Sequence, residues 1–245
     1  MKISVLFLMN ILFVVLGMAQ QELISERPGQ ALSPNCIGKR SIQVQSGMDL
    51  FHFEEKKHGV NLPSSLNTSI SSTVVRFGLG NKFEINSGIN YGISEQLLAS
   101  PLVGFKASLF KNQWHDIALQ YFTSLHQLNS DPFSNTIKFI SSHSFSEKIG
   151  LGINTGFNYL PESEGLTVDY VLSIGFNASH KIGIVLENYG NYMNEFKTYW
   201  DVGVGYLVAP LFQIDTYFGG NKTRDETDLF LSIGLTYRLD FNGEN

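Results

Sequence analysis

Alternation with a period of two runs through most of this chain and is cleanest near its C-terminal end. Leu229, Leu231, Ile233, Leu235, Tyr237 and Leu239 share one face of a strand, and Phe230, Ser232, Gly234, Thr236 and Arg238 share the other. Successive side chains of a strand point to opposite faces. One face here is apolar and the other is mostly small or polar. Such a strand suits lipid on one side and water or polar side chains on the other, as in the wall of a transmembrane barrel.

Twelve segments read as strands. They are Arg40–Phe51, Thr68–Gly80, Lys82–Gly92, Leu102–Lys111, Trp114–Thr123, Asn135–Ser144, Lys148–Tyr159, Leu166–Ala178, Lys181–Glu187, Thr198–Val208, Leu211–Gly219 and Asp228–Leu239. Most come near the roughly 9–11 residues that a tilted strand needs to cross a bilayer. Val168, Tyr170, Leu172, Ile174 and Phe176 oppose Asp169, Ser173, Gly175 and Asn177, with Val171 out of pattern. After even-numbered segments the breaks are tight, as at Asn112-Gln113 and Ala209-Pro210. After odd-numbered segments they are longer and polar, as at His52–Asn67 and Asn188–Lys197. Short periplasmic turns alternating with longer external loops characterise outer-membrane barrels. The expected fold is all-β: an up-and-down antiparallel transmembrane β-barrel of about 12 strands, with both termini on the periplasmic side.

Charge within the segments follows the same phase. Arg76, Glu84, Lys106, Asp169, Glu187, Asp201, Asp215 and Arg238 all fall opposite the more apolar face. An Arg or Lys facing lipid near the midplane costs about 2–4 kcal/mol. These residues are therefore the lumen-facing candidates.

Met1 to Ala19 has the form of an export signal. Lys2 precedes an apolar run, Val5 to Leu16, broken only by Asn10, and Gly17 and Ala19 offer a small-residue cleavage site. That run falls short of the roughly 20 residues a helical span needs, and no later segment approaches that length. The expected organisation is a signal peptide over 1–19, an N-terminal periplasmic or lumen-associated segment over 20–39, and the barrel over 40–245. The 245 residues carry a formal net charge of −5 with no basic block, which argues against a nucleic-acid partner. Cys36 is the only cysteine, so neither an intrachain disulfide nor a thiolate metal cluster is available. No metal or cofactor is expected.

Between signal and first strand lies Ser25-Glu26-Arg27-Pro28-Gly29-Gln30-Ala31-Leu32-Ser33-Pro34, followed by Gly38-Lys39 and by Gln43-Val44-Gln45-Ser46-Gly47. An Arg-Pro-Gly-Gln stretch with a second proline, a Gly-Lys pair and a strand of the form Gln-x-Gln-x-Gly resemble the phenol meta-pathway outer-membrane family. Members of that family are commonly labelled simply as transporters. The resemblance implies an outer-membrane barrel that handles small aromatic or hydrophobic compounds, and it carries over no catalytic residue. Pro28 and Pro34 keep the segment extended or turned and unable to lengthen a sheet. If it folds into the lumen, Arg27 and Gln30 come within reach of inward acids such as Glu84, Asp201 or Asp215, and Glu26 belongs to the same motif.

Some outer-membrane barrels are enzymes. Ser141 and His143 stand two apart on one segment, the spacing used by the outer-membrane phospholipase type. Their order is reversed and they fall at the periplasmic end, so a polar strand rim is the simpler reading. The expected function is passive passage or binding of a small solute, without catalysis. A non-transporting structural or adhesion barrel is the alternative, and a lipid-modifying barrel enzyme a third. The expected partners are outer-membrane lipid, the solute and the outer-membrane assembly machinery.

Overall fold

The computed structural model describes residues 23–241 apart from 28, 58–59, 62–64, 93–98, 126–132, 161–164 and 223–225. The export signal expected over Met1 to Ala19 lies outside the described residues, as does Pro28. The strands are β1 (Ser41–Lys57), β2 (Val60–Asn61), β3 (Ser65–Gly78), β4 (Phe83–Gly92), β5 (Ala99–Lys111), β6 (His115–Leu125) and β7 (Phe133–Ser144). They continue as β8 (Ile149–Leu160), β9 (Gly165–Asn177), β10 (Ile182–Tyr192), β11 (Phe196–Ala209), β12 (Phe212–Lys222) and β13 (Glu226–Asp240).

Apart from β2, a short piece paired with the end of β1, the strands form one closed antiparallel barrel of 12. Each wall strand pairs with the next in sequence, and β13 closes on β1 in a register running from Ser41↔Asp240 to Glu55↔Glu226. Closure pairs the backbone of every wall strand on both sides, which a lipid surroundings demands because it offers no hydrogen bonds.

Burial alternates along the wall. On β13, Phe230, Ser232, Thr236 and Arg238 are buried, whereas Leu231, Ile233, Leu235, Tyr237 and Leu239 are exposed. Phe139 on β7, Leu172 and Ile174 on β9, and Val202 and Val204 on β11 continue the exposed apolar surface. The buried set is mostly polar: Gln43, Arg76, Glu84, Asn86, Lys106, Asn154, Glu187 and Asp201 among others. Such a molecule is inside out for water and correct for a bilayer. Val171, out of pattern in the sequence, is buried on the inner face beside Ser173.

One end of the barrel carries the tight turns, such as Leu79–Lys82 between β3 and β4 and Pro210–Leu211 between β11 and β12. β1 starts and β13 ends there, joined through Phe241 N–H donating to Arg40 O at 2.8 Å. At the opposite end the strands outrun the sequence-based boundaries. β1 continues to Lys57, and β10 and β11 extend through most of the expected loop Asn188–Lys197. The contrast in loop length is correspondingly smaller than the sequence suggests. Polar and aromatic cross-strand pairs build this extra ladder. Tyr189 stacks on Tyr199 with centroids 5.5 Å apart, and Asn188 donates to Thr198 Oγ1 at 2.9 Å. Such pairs stabilise a sheet without apolar alternation.

Candidate functional site

Residues 23–27 and 29–38 run inside the barrel near its tight-turn end. Glu26 and Arg27, adjacent in the chain, send their side chains to different walls.

Arg27 meets β12, β13 and β1. Its Nε donates to Asp215 Oδ1 at 3.1 Å and its Nη2 to Ser232 Oγ at 2.8 Å. The guanidinium lies 5.4 Å from the Tyr217 ring centroid, and Gln213 Nε2 donates to the Arg27 carbonyl at 2.8 Å. Gly47 and Gly234, paired across the β1–β13 seam, form the slot it enters. A Cβ on Gly47 would lie 2.5 Å from the guanidinium, and one on Gly234 2.3 Å from it. A side chain at either position would displace the guanidinium from the slot.

Glu26 meets β3 and β5. It pairs with Lys106 and approaches Arg76 Nη2 to 3.6 Å. Arg76 in turn donates twice to Glu84, each at 2.9 Å, and Lys106 stands 3.5 Å from Glu84. Two cations and two carboxylates thus form a neutral set in which Arg76, Lys106 and Glu84 are fully buried. Removing Glu26 would leave one positive charge uncompensated, which a buried site tolerates poorly. Burial works to raise the pKa of Glu26, but Arg76 and Lys106 outweigh it and hold the carboxyl below its usual range. Glu26 therefore stays ionised at neutral pH, and the stability it contributes is lost as pH falls through its lowered pKa.

The strand half of the Gln-x-Gln-x-Gly motif receives the other half. Gln43 Nε2 donates to the Ile24 carbonyl at 2.8 Å, and Gln45 Nε2 reaches Ser25 Oγ at 3.4 Å. Ser25 Oγ also meets Thr236 Oγ1 at 2.8 Å. The next turn is clasped by β10 and β8. Glu187 accepts the backbone N–H groups of Gln30 and Ala31, the latter at 3.1 Å. Asn154 accepts from Leu32 N–H at 2.6 Å and donates to its carbonyl at 3.3 Å. Gly29, at φ 104°, lies where a Cβ would strike the Glu187 carboxylate at 2.6 Å. Beyond it Cys36 and Ile37 are buried, and burial pushes the Cys36 thiol up from its ordinary pKa.

Arg27 thus meets Asp215 rather than Glu84 or Asp201. Gln30 is held through its backbone, by Glu187. Asp201 is buried opposite Glu187 on the β10–β11 ladder. The two carboxyls hydrogen-bond with each other, and no other described group donates to Asp201. Asp169, half-buried, pairs with Lys138 at 3.0 Å, and Arg238 pairs with Asp240 at 2.7 Å. His143 turns its Nδ1 to that of His115 at 2.8 Å, while Ser141 donates to the Ile153 carbonyl at 3.4 Å. Sequence reasoning missed the Gly47–Gly234 slot and the Asn154 bracket. Gly47 stood in the Gln-x-Gln-x-Gly motif, but Gly234 and Asn154 offered no signal beyond an inward phase.

No functionally curated protein matches the chain by sequence. Among solved structures, a NanC porin aligns with a TM-score of 0.61 at 9% identity, over 81% of this chain and 100% of that one. A KdgM porin gives 0.58 at 12% identity, over 78% and 98%. A CymD monoaromatic hydrocarbon channel gives 0.51 at 9%, over 84% and 90%. At these identities the likeness is one of fold, that of outer-membrane barrels. The family model described as "Putative MetA-pathway of phenol degradation" matches residues 25–239, from the lumenal segment into the last strand, and the chain belongs to that family.

Proposed function

We propose that this protein is an outer-membrane barrel for passive passage of a small solute, with residues 23–38 acting as a resident plug. One observation carries this reading: a closed barrel with a polar interior, into which its own N-terminal segment is fastened by Glu26 on one wall and Arg27 on the other. Twelve strands lie between the roughly eight whose side chains fill the interior and the roughly sixteen that leave an open aqueous channel. Partial occupation by a plug suits that intermediate bore. The inward charges Arg76, Glu84, Lys106, Asp169, Glu187, Asp201, Asp215 and Arg238 then tune solvation and selectivity, and no residue is assigned a catalytic role. The family description supports a phenol-like solute. Insertion through the outer-membrane assembly machinery and contact with outer-membrane lipid complete the picture. The test is swelling of liposomes carrying the purified barrel in isosmotic solutions of small neutral solutes, phenolic glycosides included. Swelling that declines with solute size is expected. Liposomes that stay inert both with the whole protein and with a variant lacking Glu26 to Pro34 would contradict passage.

A further inference from the structure

The lumen is filled unevenly near its tight-turn end. Arg76, Glu84, Lys106 and Arg238 crowd one side, whereas the inward positions of β8 to β11 include Gly150, Gly152, Gly175, Gly183, Gly203 and Gly205. Gly150 pairs with Gly175 and Gly183 with Gly205 on adjacent strands. A Cβ on Gly175 would meet nothing within 4 Å, and one on Gly183 would first meet Asn177 Oδ1 at 3.9 Å. A cavity of about 790 Å³ lies here, between Gly175, Gly183, Gly205, Val185 and Leu207 of the wall and Leu23 and Arg27 of the plug. Lys148 and Lys181, beside the turns, flank its mouth.

Its inner end is equally definite. Val185 belongs to the lining, and the next inward residue on β10 is Glu187, which clasps Gln30 and Ala31. Undocking the whole plug would break the Glu26 charge set and strand Asp215, both buried. Releasing the Gln30–Ala31 turn breaks two hydrogen bonds to one carboxylate, and water in the lumen can replace them. The smaller motion costs far less. Gly29 lets the turn adopt backbone conformations closed to other residues.

We propose that solute crosses through this glycine-floored crescent beside a plug that stays docked, with the Glu187 clasp on the Gln30–Ala31 turn as its gate. The inference rests on the passage reading above. Beside Glu187, across the β10–β11 ladder, stands the Asp201 carboxyl, which hydrogen-bonds with it and takes no donor from any other described residue. A neutral solute bearing hydroxyl groups finds acceptors there, while an anion meets like charge.

The experiment locks the plug. In a Cys36→Ser background, Ser25→Cys and Thr236→Cys replace two hydroxyls 2.8 Å apart, and oxidation ties the plug to β13 in the full chain. In planar bilayers the locked protein should keep most of the unlocked conductance. Adding Glu187→Gln should raise it about tenfold, the worth of a weakened charged hydrogen bond. Adding Gly175→Phe, at a site with room for a side chain, should sharply reduce it. Conductance that vanishes on oxidation and returns with dithiothreitol would overturn the route, because the plug must then leave. So would a Gly175→Phe variant that conducts normally. If neither the unlocked protein nor the variant lacking Glu26 to Pro34 conducts, the passage reading itself falls, and the route with it.

Discussion

Glu26 and Arg27 are neighbours in sequence, yet each completes a different buried charge set on a different wall. That division gives Arg27 a testable weight. Arg27→Ala leaves Asp215 buried without its cation and should weaken plug docking by about 3 kcal/mol, the low end for breaking a buried pair. The barrel wall loses no strand. Cys36, buried in the same segment with its thiol pushed up by burial, reports the change. Its alkylation by a maleimide should be slow in the parent and many-fold faster in Arg27→Ala. Equal rates would mean that Arg27 does not hold the segment. At this scale the sequence displayed the parts without their assembly. Arg27 and Gln43-x-Gln45-x-Gly47 stand out as motif residues, but the entry of the arginine into the Gly47–Gly234 slot joins positions from both ends of the chain. Local pattern carries no trace of it.

Strand phase was far more legible, because lipid and lumen impose opposite chemistry on alternate residues. Leu172 is exposed on the wall and Ser173 is buried inside it. Leu172→Arg should therefore cost about 2–4 kcal/mol of barrel stability if it lies near the midplane. Ser173→Arg should cost much less, since it lies opposite Glu187 on the ladder and gains an ion pair with it. Urea titration of the refolded barrels in vesicles measures both, and equal losses would show the phase to be misassigned. Strand ends were less legible. Past the apolar belt the β10–β11 ladder is held by Tyr189–Tyr199 stacking and by Asn188 with Thr198. Sequence periodicity has nothing to register in such pairs.

For the whole molecule, closure of 12 strands followed from counting alternating segments and tight turns. The uneven filling of the lumen did not. It depends on which inward glycines become neighbours across β8 to β11, a matter of register rather than of any one segment. The proposed barrel is a wall that stands alone, with the N-terminal segment as its occupant. Single-channel conductance of the whole protein, compared with that of a variant lacking Glu26 to Pro34, tests this most directly, with heat-modifiable migration on gels as the check on folding. The deletion should leave a heat-modifiable barrel and raise conductance several-fold. A folded barrel whose conductance is unchanged by the deletion would show that the segment does not occupy the solute path.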